Sequence, residues 1–218
     1  MKKIIKHLKI EWHKYLFDTV VVIVGILIAF SLNNWNESRK QIIAENEFIL
    51  GVKNDLKQDK IYISLVLKIY EDKEIIFHSI NDELFNLYVN DKLKLVSLLN
   101  KYIASNRTFY PVVGTFESAM SGNEIGKFNN KSFCLGATKL YNSTYARLSD
   151  NAKNFDDRYF YLVKKYSYER RTGHLREMNH AQQIELLDDL FYYMKSMKYY
   201  INILNNAVKE IDELLDTN

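Results

Sequence analysis

The pattern of apolar and polar positions predicts helices along the whole chain. Residues 19–32 form an uncharged run in which Thr19 and Ser31 are the most polar members. Beyond this run an apolar residue recurs at every seventh position from Ile42 to Leu84, which is the repeat of a long amphipathic helix. The chain has one proline and seven glycines in 218 residues, so few positions favour strands or turns. We therefore predict an all-α protein.

The uncharged run has the flanks of a membrane-spanning helix. On its own it is shorter than the roughly 20 residues that cross a bilayer, but apolar residues at 15–17 extend it. Trp12 and Trp35 stand 23 positions apart, which is about 34 Å of helix and places an indole ring at each membrane interface. We predict a transmembrane helix over residues 19–35 that continues into the amphipathic helix and is followed by an extramembrane helical bundle.

Two other interpretations of this segment remain open from the sequence. A cleavable signal peptide would have residues 29–31, Ala-Phe-Ser, as its cleavage site, which is a poor match to the small-residue pattern. A core helix of a soluble protein would leave the paired tryptophans and the lysine-rich start without a role. The sequence favours an uncleaved anchor over both.

Charge is distributed unevenly along the chain. Residues 1–18 carry five lysines against two carboxylates, residues 19–32 carry none, and residues 33–218 carry 25 basic and 25 acidic side chains. Lysine is enriched on the cytoplasmic side of membrane helices. We therefore predict a basic cytoplasmic tail at 1–18 and a helical periplasmic domain at 36–218, anchored in the lipid bilayer of a bacterial inner membrane. The neutral outer region argues against a nucleic-acid partner.

Two features of the first helix predict contacts with other helices. Gly25 and Ala29 form a small-xxx-small pair of the kind that lets membrane helices approach closely. The heptad positions that we predict as a possible interface are Ile49, Leu56, Ile63 and Tyr70. In the companion register, Asp59 and Lys73 interrupt the apolar residues, which favours a bundle over a regular two-stranded coil, although a coiled-coil stalk stays possible.

The rest of the chain divides into further helices. Periodicity predicts helices at about 90–104, 131–171 and 179–215. The segment between the first two of these helices contains Pro111 and three glycines, which predicts a loop with one short helix near 115–120. No strand and no internal repeat is predicted.

The apolar segment and its end resemble a known motif. Residues 23–37 read IVGILIAFSLNNWNE, and this run is similar to the signature of a family of uncharacterised single-span membrane proteins of Bacteroidota, a VIGILIA-like helix that ends in NNWNE. Residues 48–59 resemble the family's first outer helix, and residues 115–122 resemble its mid-chain segment. The resemblance implies an uncleaved anchor, and it implies no activity.

The sequence contains no recognised catalytic or metal-binding motif. The five histidines are not spaced as HExxH, and the glycines form neither GxGxxG nor a P-loop. Because Cys134 is the single cysteine, the chain cannot form an internal disulfide. We predict that Cys134 is a small buried residue rather than a nucleophile. We therefore predict no enzyme activity, no cofactor and no metal.

Tyrosine clusters in the last two long helices are the remaining candidate for a binding surface. Their members are Tyr159, Tyr161, Tyr166, Tyr168, Tyr192, Tyr193, Tyr199 and Tyr200. At helical spacing such rings usually belong to the edge of a core, but they also line ligand pockets and protein interfaces.

Two functional hypotheses follow. The first is an anchored protein whose outer domain mediates protein–protein interaction or scaffolding, either as a homo-oligomer or with another membrane or periplasmic protein. The alternative is a periplasmic ligand sensor that signals through the membrane helix to a separate effector. An enclosed pocket between tyrosine-bearing helices would favour the sensor, and an exposed aromatic stripe would favour the interaction protein.

The charge asymmetry predicts the topology of the chain. A reporter that works only outside the cytoplasm should be active when fused after Asn218, because the lysine-rich tail holds the opposite end inside. A reporter that works only in the cytoplasm should be inactive at the same position. The reverse pattern of activities would contradict the predicted orientation.

Overall fold

Every regular element that the structure describes is a helix. The computed structural model describes the backbone of residues 2–217 and the side chains of Trp12 and residues 16–217, so the lysines of the predicted basic tail lie outside the described side chains. In chain order the elements are α1 (Lys2–Asn90), α2 (Lys92–Tyr102), α3 (Gly114–Ser121), a 3-10 turn (Ile125–Lys127), α4 (Lys131–Lys139), a π-helical segment (Leu140–Tyr145), α5 (Ala146–Lys165), α6 (Ser167–Thr172) and α7 (His180–Asp216). The predicted all-α fold is confirmed.

Helix α1 joins the apolar segment to the outer domain without a break. It contains 89 residues, which is about 130 Å of helix. Within the described residues it is the one helix long and apolar enough to cross a membrane, with a mean hydropathy of 2.2 in its most apolar stretch and none of that stretch buried. The first buried side chains of the domain are Glu45 and Phe48, which lie three turns beyond Trp35.

The heptad stripe of α1 is covered by the chain itself. Leu56, Ile63 and Tyr70 are completely buried, and Ile49 packs at the edge of the same core. Helices α2 and α7 pack against this side of α1. The predicted interface residues therefore lie inside the core, because α7 occupies the place that a second chain would take in a coiled coil.

Helix α7 runs antiparallel to α1. Lys53 of α1 donates to the carbonyl oxygen of Leu215 at 3.1 Å, and Lys198 pairs with Glu74 at 2.7 Å. The start of α7 follows the sequence closely, since Asn179 caps it and forms a reciprocal capping box with Gln182.

The helix predicted over 131–171 has an irregular middle and a break. It contains the π-helical segment, whose wide turn brings Leu140, Tyr141 and Tyr145 all into the core. The chain then leaves the helix at Tyr166, which separates α5 from α6. Periodicity alone does not reveal a π turn, because the apolar positions on either side of it remain helically spaced.

An irregular segment between α2 and α3 crosses over α1, α5 and α7 and inserts a few of its side chains between them. We call residues 103–113 the crossing segment. Ile103, Thr108 and Phe109 are buried, whereas Tyr110 is exposed, and buried backbone groups need hydrogen-bond partners. Tyrosine hydroxyls supply several of them: Tyr70 donates to the carbonyl of Arg107, Tyr141 to Val112, Tyr159 to Ile103, and Tyr200 accepts from the amide of Phe109.

We predict that the hydroxyl of Tyr200 stabilises the fold. Its oxygen lies 2.9 Å from the amide nitrogen of Phe109, so Tyr200→Phe leaves a buried donor without an acceptor and should lower the free energy of unfolding by about 1–3 kcal/mol. Urea unfolding of the full chain in mild detergent, followed by circular dichroism, measures this loss.

The neighbouring Tyr199 provides a matched control. It is 55% exposed, so Tyr199→Phe should change the free energy of unfolding by less than about 0.5 kcal/mol. Equal losses in the two variants would show that the contact with the crossing segment contributes nothing.

Candidate interaction site

The first candidate is Asp59, the acidic residue that interrupts the apolar register of α1. It is 1% exposed. One carboxylate oxygen accepts from the amide of Val112 at 2.9 Å, and the other accepts from the hydroxyl of Tyr145 at 2.7 Å. Burial raises the pKa of this carboxyl to about 6, against the opposing effect of its two hydrogen bonds. Asp59 therefore holds the end of the crossing segment.

The second candidate is Lys73, the basic residue in the same register. It is 3% exposed, and its ammonium group donates to the carbonyl of Tyr102 at 2.7 Å and to the hydroxyl of Tyr193 at 3.2 Å. The rings of these two residues and of Tyr159 surround the nitrogen, with centroids 5.0–5.7 Å away. Burial lowers the pKa of Lys73 to about 7, with a further contribution from the charge of Arg170.

The hydrogen bonds of Asp59 and Lys73 stabilise the fold, and the two side chains are not placed to act together in catalysis. Asp59 and Lys73 are fourteen residues apart on one helix, which is about 21 Å, so they cannot act on the same substrate atom. Burial raises the pKa of the Cys134 thiol, which makes it a poor nucleophile. Among the described residues, no group of three or more His, Cys, Asp or Glu side chains could hold a metal ion.

A groove lies between α5 and α7, with a volume of about 770 Å³. We call it the α5–α7 groove. It is lined by Asn151, Asn154, Phe155, Asp157, Arg158, Tyr192, Lys195, Ser196, Tyr199 and Tyr200. Spacings of three and four residues place the lining positions on one face of each helix. The groove is open to solvent along its length, since Tyr192 and Tyr199 are more than half exposed.

The floor of the groove is aromatic and buried, and its wall is polar. Phe155 and Tyr200 form the floor, with stacked rings whose centroids are 5.5 Å apart, and both are buried. On the wall, the guanidinium of Arg158 lies over the ring of Tyr192 at 5.4 Å. Lys195 adds a second positive charge and Asp157 one negative charge. The groove thus combines exposed aromatic surface with a slight excess of positive charge.

The groove is directly packed on the helix that enters the apolar segment. Tyr70 of α1 meets the floor rings edge-on, with centroid distances of 5.5 Å to Phe155 and 6.3 Å to Tyr200. The hydroxyl of Tyr200 in turn accepts from the crossing segment. A movement of the floor residues would therefore act directly on α1 and on the crossing segment, because they are in contact.

Comparison with known proteins assigns the chain to a family. A family model matches residues 18–167, which is more than half of the chain. The chain belongs to DUF6090, a family of unknown function. The DUF6090 match begins just before the apolar run and ends at the start of α6, so α7 lies outside it. No curated protein and no solved structure matches the chain.

The residues predicted as the membrane anchor lie along α1 inside or beside the DUF6090 region. Trp12, Gly25, Ala29 and Trp35 are all exposed, and a Cβ atom added at Gly25 would meet nothing within 4 Å. They share a helix but are not gathered into a pocket. Their exposure is what an anchor requires, because lipid would contact them from outside the chain.

Sequence reasoning found only part of the α5–α7 groove in this DUF6090 chain. The tyrosine clusters pointed to it, and Tyr193 and Tyr200 proved to be buried whereas Tyr192 and Tyr199 are exposed. Arg158 was missed. The spacing of residues 151, 154, 155 and 158 places them on one helical face, and the spacing of residues 192, 195, 196 and 199 places them on another. This pattern could have identified Arg158, but the sequence does not show that the two faces meet.

We predict that Lys73 gives the protein a distinctive dependence of stability on pH. The unfolded chain keeps this proton up to about pH 10.5, whereas the folded chain releases it near the folded pKa of about 7. Between these values the unfolded state binds more protons, so stability rises with pH. From pH 7 to pH 9.5 the wild type should gain about 2–3 kcal/mol that Lys73→Met does not gain.

Urea unfolding at the two pH values measures the difference between wild type and variant. The control is Lys68→Met, at an exposed position of the same helix, which should retain the wild-type dependence. If Lys73→Met shows the same gain as the wild type, Lys73 is protonated in the folded protein throughout this range.

Proposed function

We propose that this protein is a single-span protein of a bacterial inner membrane whose helical outer domain binds another protein in the α5–α7 groove. The tail is cytoplasmic and the domain is periplasmic in this proposal. The protein acts by binding rather than by catalysis. Its family carries no activity that could be transferred to it.

The exposed apolar surface of α1 supports the membrane anchor. Large side chains from Leu16 to Leu32 are about half exposed or more, on every side of the helix. Apolar surface left in water costs about 25 cal/mol per Å², so a segment of this kind needs a cover. A bilayer covers all sides of one helix at once, whereas a partner helix covers only one.

The open aromatic groove is the observation that carries the binding function. Exposed tyrosine and arginine above a buried aromatic floor are the composition of energetically important positions in protein interfaces. The guanidinium of Arg158, already oriented on Tyr192, suits a carboxylate of the partner. We therefore infer that the partner inserts an apolar side chain beside an acidic one.

The position of the groove favours a protein over lipid as its occupant. Tyr70, which contacts the groove floor, lies 35 residues beyond Trp35 on an unbroken helix, which is about 52 Å. Lipid headgroups do not extend that far from the hydrocarbon core. The groove is therefore presented to proteins in the outer compartment.

Ligand sensing is a second candidate function. The observation that favours it is the direct contact between the groove floor and Tyr70, because a ligand that moved Phe155 or Tyr200 would press on α1. A continuous helix would carry such a shift toward the membrane. The open form of the groove favours a protein occupant over an enclosed small molecule.

Site-specific photo-crosslinking in native membranes tests the proposal. A photoreactive amino acid at position 192 or 199 of the full chain should capture the same periplasmic protein. The control position is Phe160, which is 63% exposed on the other side of α5. Arg158→Glu should reduce capture by about tenfold, because it places a carboxylate against the acidic partner.

Three outcomes separate the candidates. A common partner at positions 192 and 199, absent at position 160, supports the binding function. Equal capture at all three positions, or capture of no protein at the groove, overturns it. In the latter case, a small molecule retained by the purified chain and lost in the Arg158→Glu variant would support sensing.

A further inference from the structure

A small pocket lies at the end of the bundle nearest the apolar segment. It has a volume of about 250 Å³ and lies between α1 and the 3-10 turn. Its lining carries two basic and two acidic side chains, Lys40, Lys127, Glu37 and Glu124, together with the buried ring of Phe128. The four charges cancel, so the pocket presents both signs side by side without a net charge. We call it the membrane-proximal pocket.

Hydrogen bonds hold the 3-10 turn and the residues after it against α1. The carboxylate of Glu45, which is 6% exposed, accepts from the backbone amides of Asn129 and Asn130 at 2.9 Å and 2.6 Å. The side chain of Gln41 donates to the carbonyl of Lys127, although the two residues are 86 positions apart in the chain. The membrane-proximal pocket is therefore part of the folded bundle rather than a chance meeting of surface side chains.

The continuity of α1 sets the height of this pocket above the membrane. The proposed anchor places Trp35 at the interface. Because α1 is unbroken, Glu37 lies about 3 Å and Gln41 about 9 Å beyond Trp35 along the helix axis. The polar headgroup layer is about 5–8 Å deep on each side of a bilayer, and helical side chains such as Lys40 tilt toward the N-terminus, which here is the membrane side. The pocket therefore lies at the level of the lipid headgroups.

We propose that the membrane-proximal pocket binds the headgroup of a zwitterionic phospholipid that carries a phosphate and a primary ammonium. The proposal rests on the membrane anchor of the proposed function but does not depend on the α5–α7 groove. The phosphate oxygens accept from the ammonium groups of Lys40 and Lys127, and the ammonium of the lipid donates to the carboxylates of Glu37 and Glu124. A pocket with both signs and no net charge thus matches a headgroup with both signs and no net charge.

The charges of the pocket favour this class of headgroup over two others. An anionic headgroup without an ammonium would leave both carboxylates facing negative charge, and a quaternary ammonium has no N–H group to donate. The ion pair between Glu37 and Lys40, at 3.1 Å, does not block the pocket, because both side chains are more than 60% exposed and such pairs are weak. Just outside the lining, Lys131 donates to the carbonyl of Gly126 at 2.9 Å, which adds positive charge for the phosphate near the turn.

Native mass spectrometry of the full chain in mild detergent tests the proposal. Offered equal amounts of phosphatidylethanolamine, phosphatidylglycerol and phosphatidylcholine, the wild type should retain at least about fivefold more of the first than of either other lipid. Lys40→Gln combined with Lys127→Gln should lower the retained phosphatidylethanolamine by at least about fivefold, because the phosphate loses its charged donors. The control combines Lys57→Gln with Lys68→Gln, two exposed positions of α1 outside the pocket, and should retain the lipid as the wild type does.

A second pair of substitutions tests the recognition of the lipid ammonium. Glu37→Gln combined with Glu124→Gln keeps the size of the side chains but changes the pocket from neutral to two positive charges. The preference should therefore reverse, with phosphatidylglycerol retained at least about threefold more than phosphatidylethanolamine. All these variants should keep the photo-crosslink at position 192, which separates this proposal from the function of the groove.

The outcomes that overturn the headgroup site are distinct. Equal retention of the three lipids by the wild type, or equal losses in the two lysine variants, would show that the pocket selects no headgroup. A wild type that retains phosphatidylglycerol in preference would show recognition of negative charge alone and overturn the zwitterionic assignment. Recovery of the chain in the soluble fraction would remove the anchor on which both proposals rest.

Discussion

The structure depends on supplying hydrogen-bond partners to the irregular crossing segment, which is buried at Ile103, Thr108 and Phe109. The crossing segment has no helical or sheet partner, so its amides and carbonyls would be costly to bury. Tyrosine solves this problem, since one ring fills core volume while its hydroxyl reaches a peptide group. Four tyrosines hydrogen-bond to the backbone of the segment in this way. Buried Asp59 accepts from the amide of Val112, and buried Lys73 donates to the carbonyl of Tyr102, just before the segment.

The same constraint connects the fold to the candidate interaction site. Tyr70, Phe155, Tyr193 and Tyr200 form one ring cluster under the crossing segment, and two of these rings are also the floor of the α5–α7 groove. Phe155 and Tyr200 are already buried among other rings, so they lose little conformational freedom when a partner binds. The exposed rings above it can then contribute their contact surface without reorganising the core.

Helix α1 has two sides with different roles. Its inner side forms the core with α2 and α7, and its outer side is exposed, with Ile43 at 47% and Leu50 at 63%. A soluble helix hairpin would need only the inner side. The continuity of α1 means that the bundle and the apolar segment share one helix axis, so the groove floor contacts the same element that carries the apolar segment.

Features that depend on interactions between residues close in the chain could be predicted from the sequence, whereas features that depend on distant residues could not. Helix type, the anchor segment and the cap of α7 at Asn179 follow from local spacing and composition, which act over a few residues. The buried heptad residues of α1 were also predicted from the sequence, but the element that covers them was not. Helix α7 covers Leu56 and Ile63, whereas the heptad pattern is equally compatible with a second chain at this place.

By itself, the sequence determined that this is a helical protein with one long apolar segment and a bundle, although it did not reveal the divisions within residues 131–171. Only the tertiary structure decided what Asp59 and Lys73 do, because their partners are more than 25 residues away in the chain. It also decided that Arg158 meets Tyr192. Such contacts arise when the chain folds back on itself, and no local pattern encodes which faces then meet.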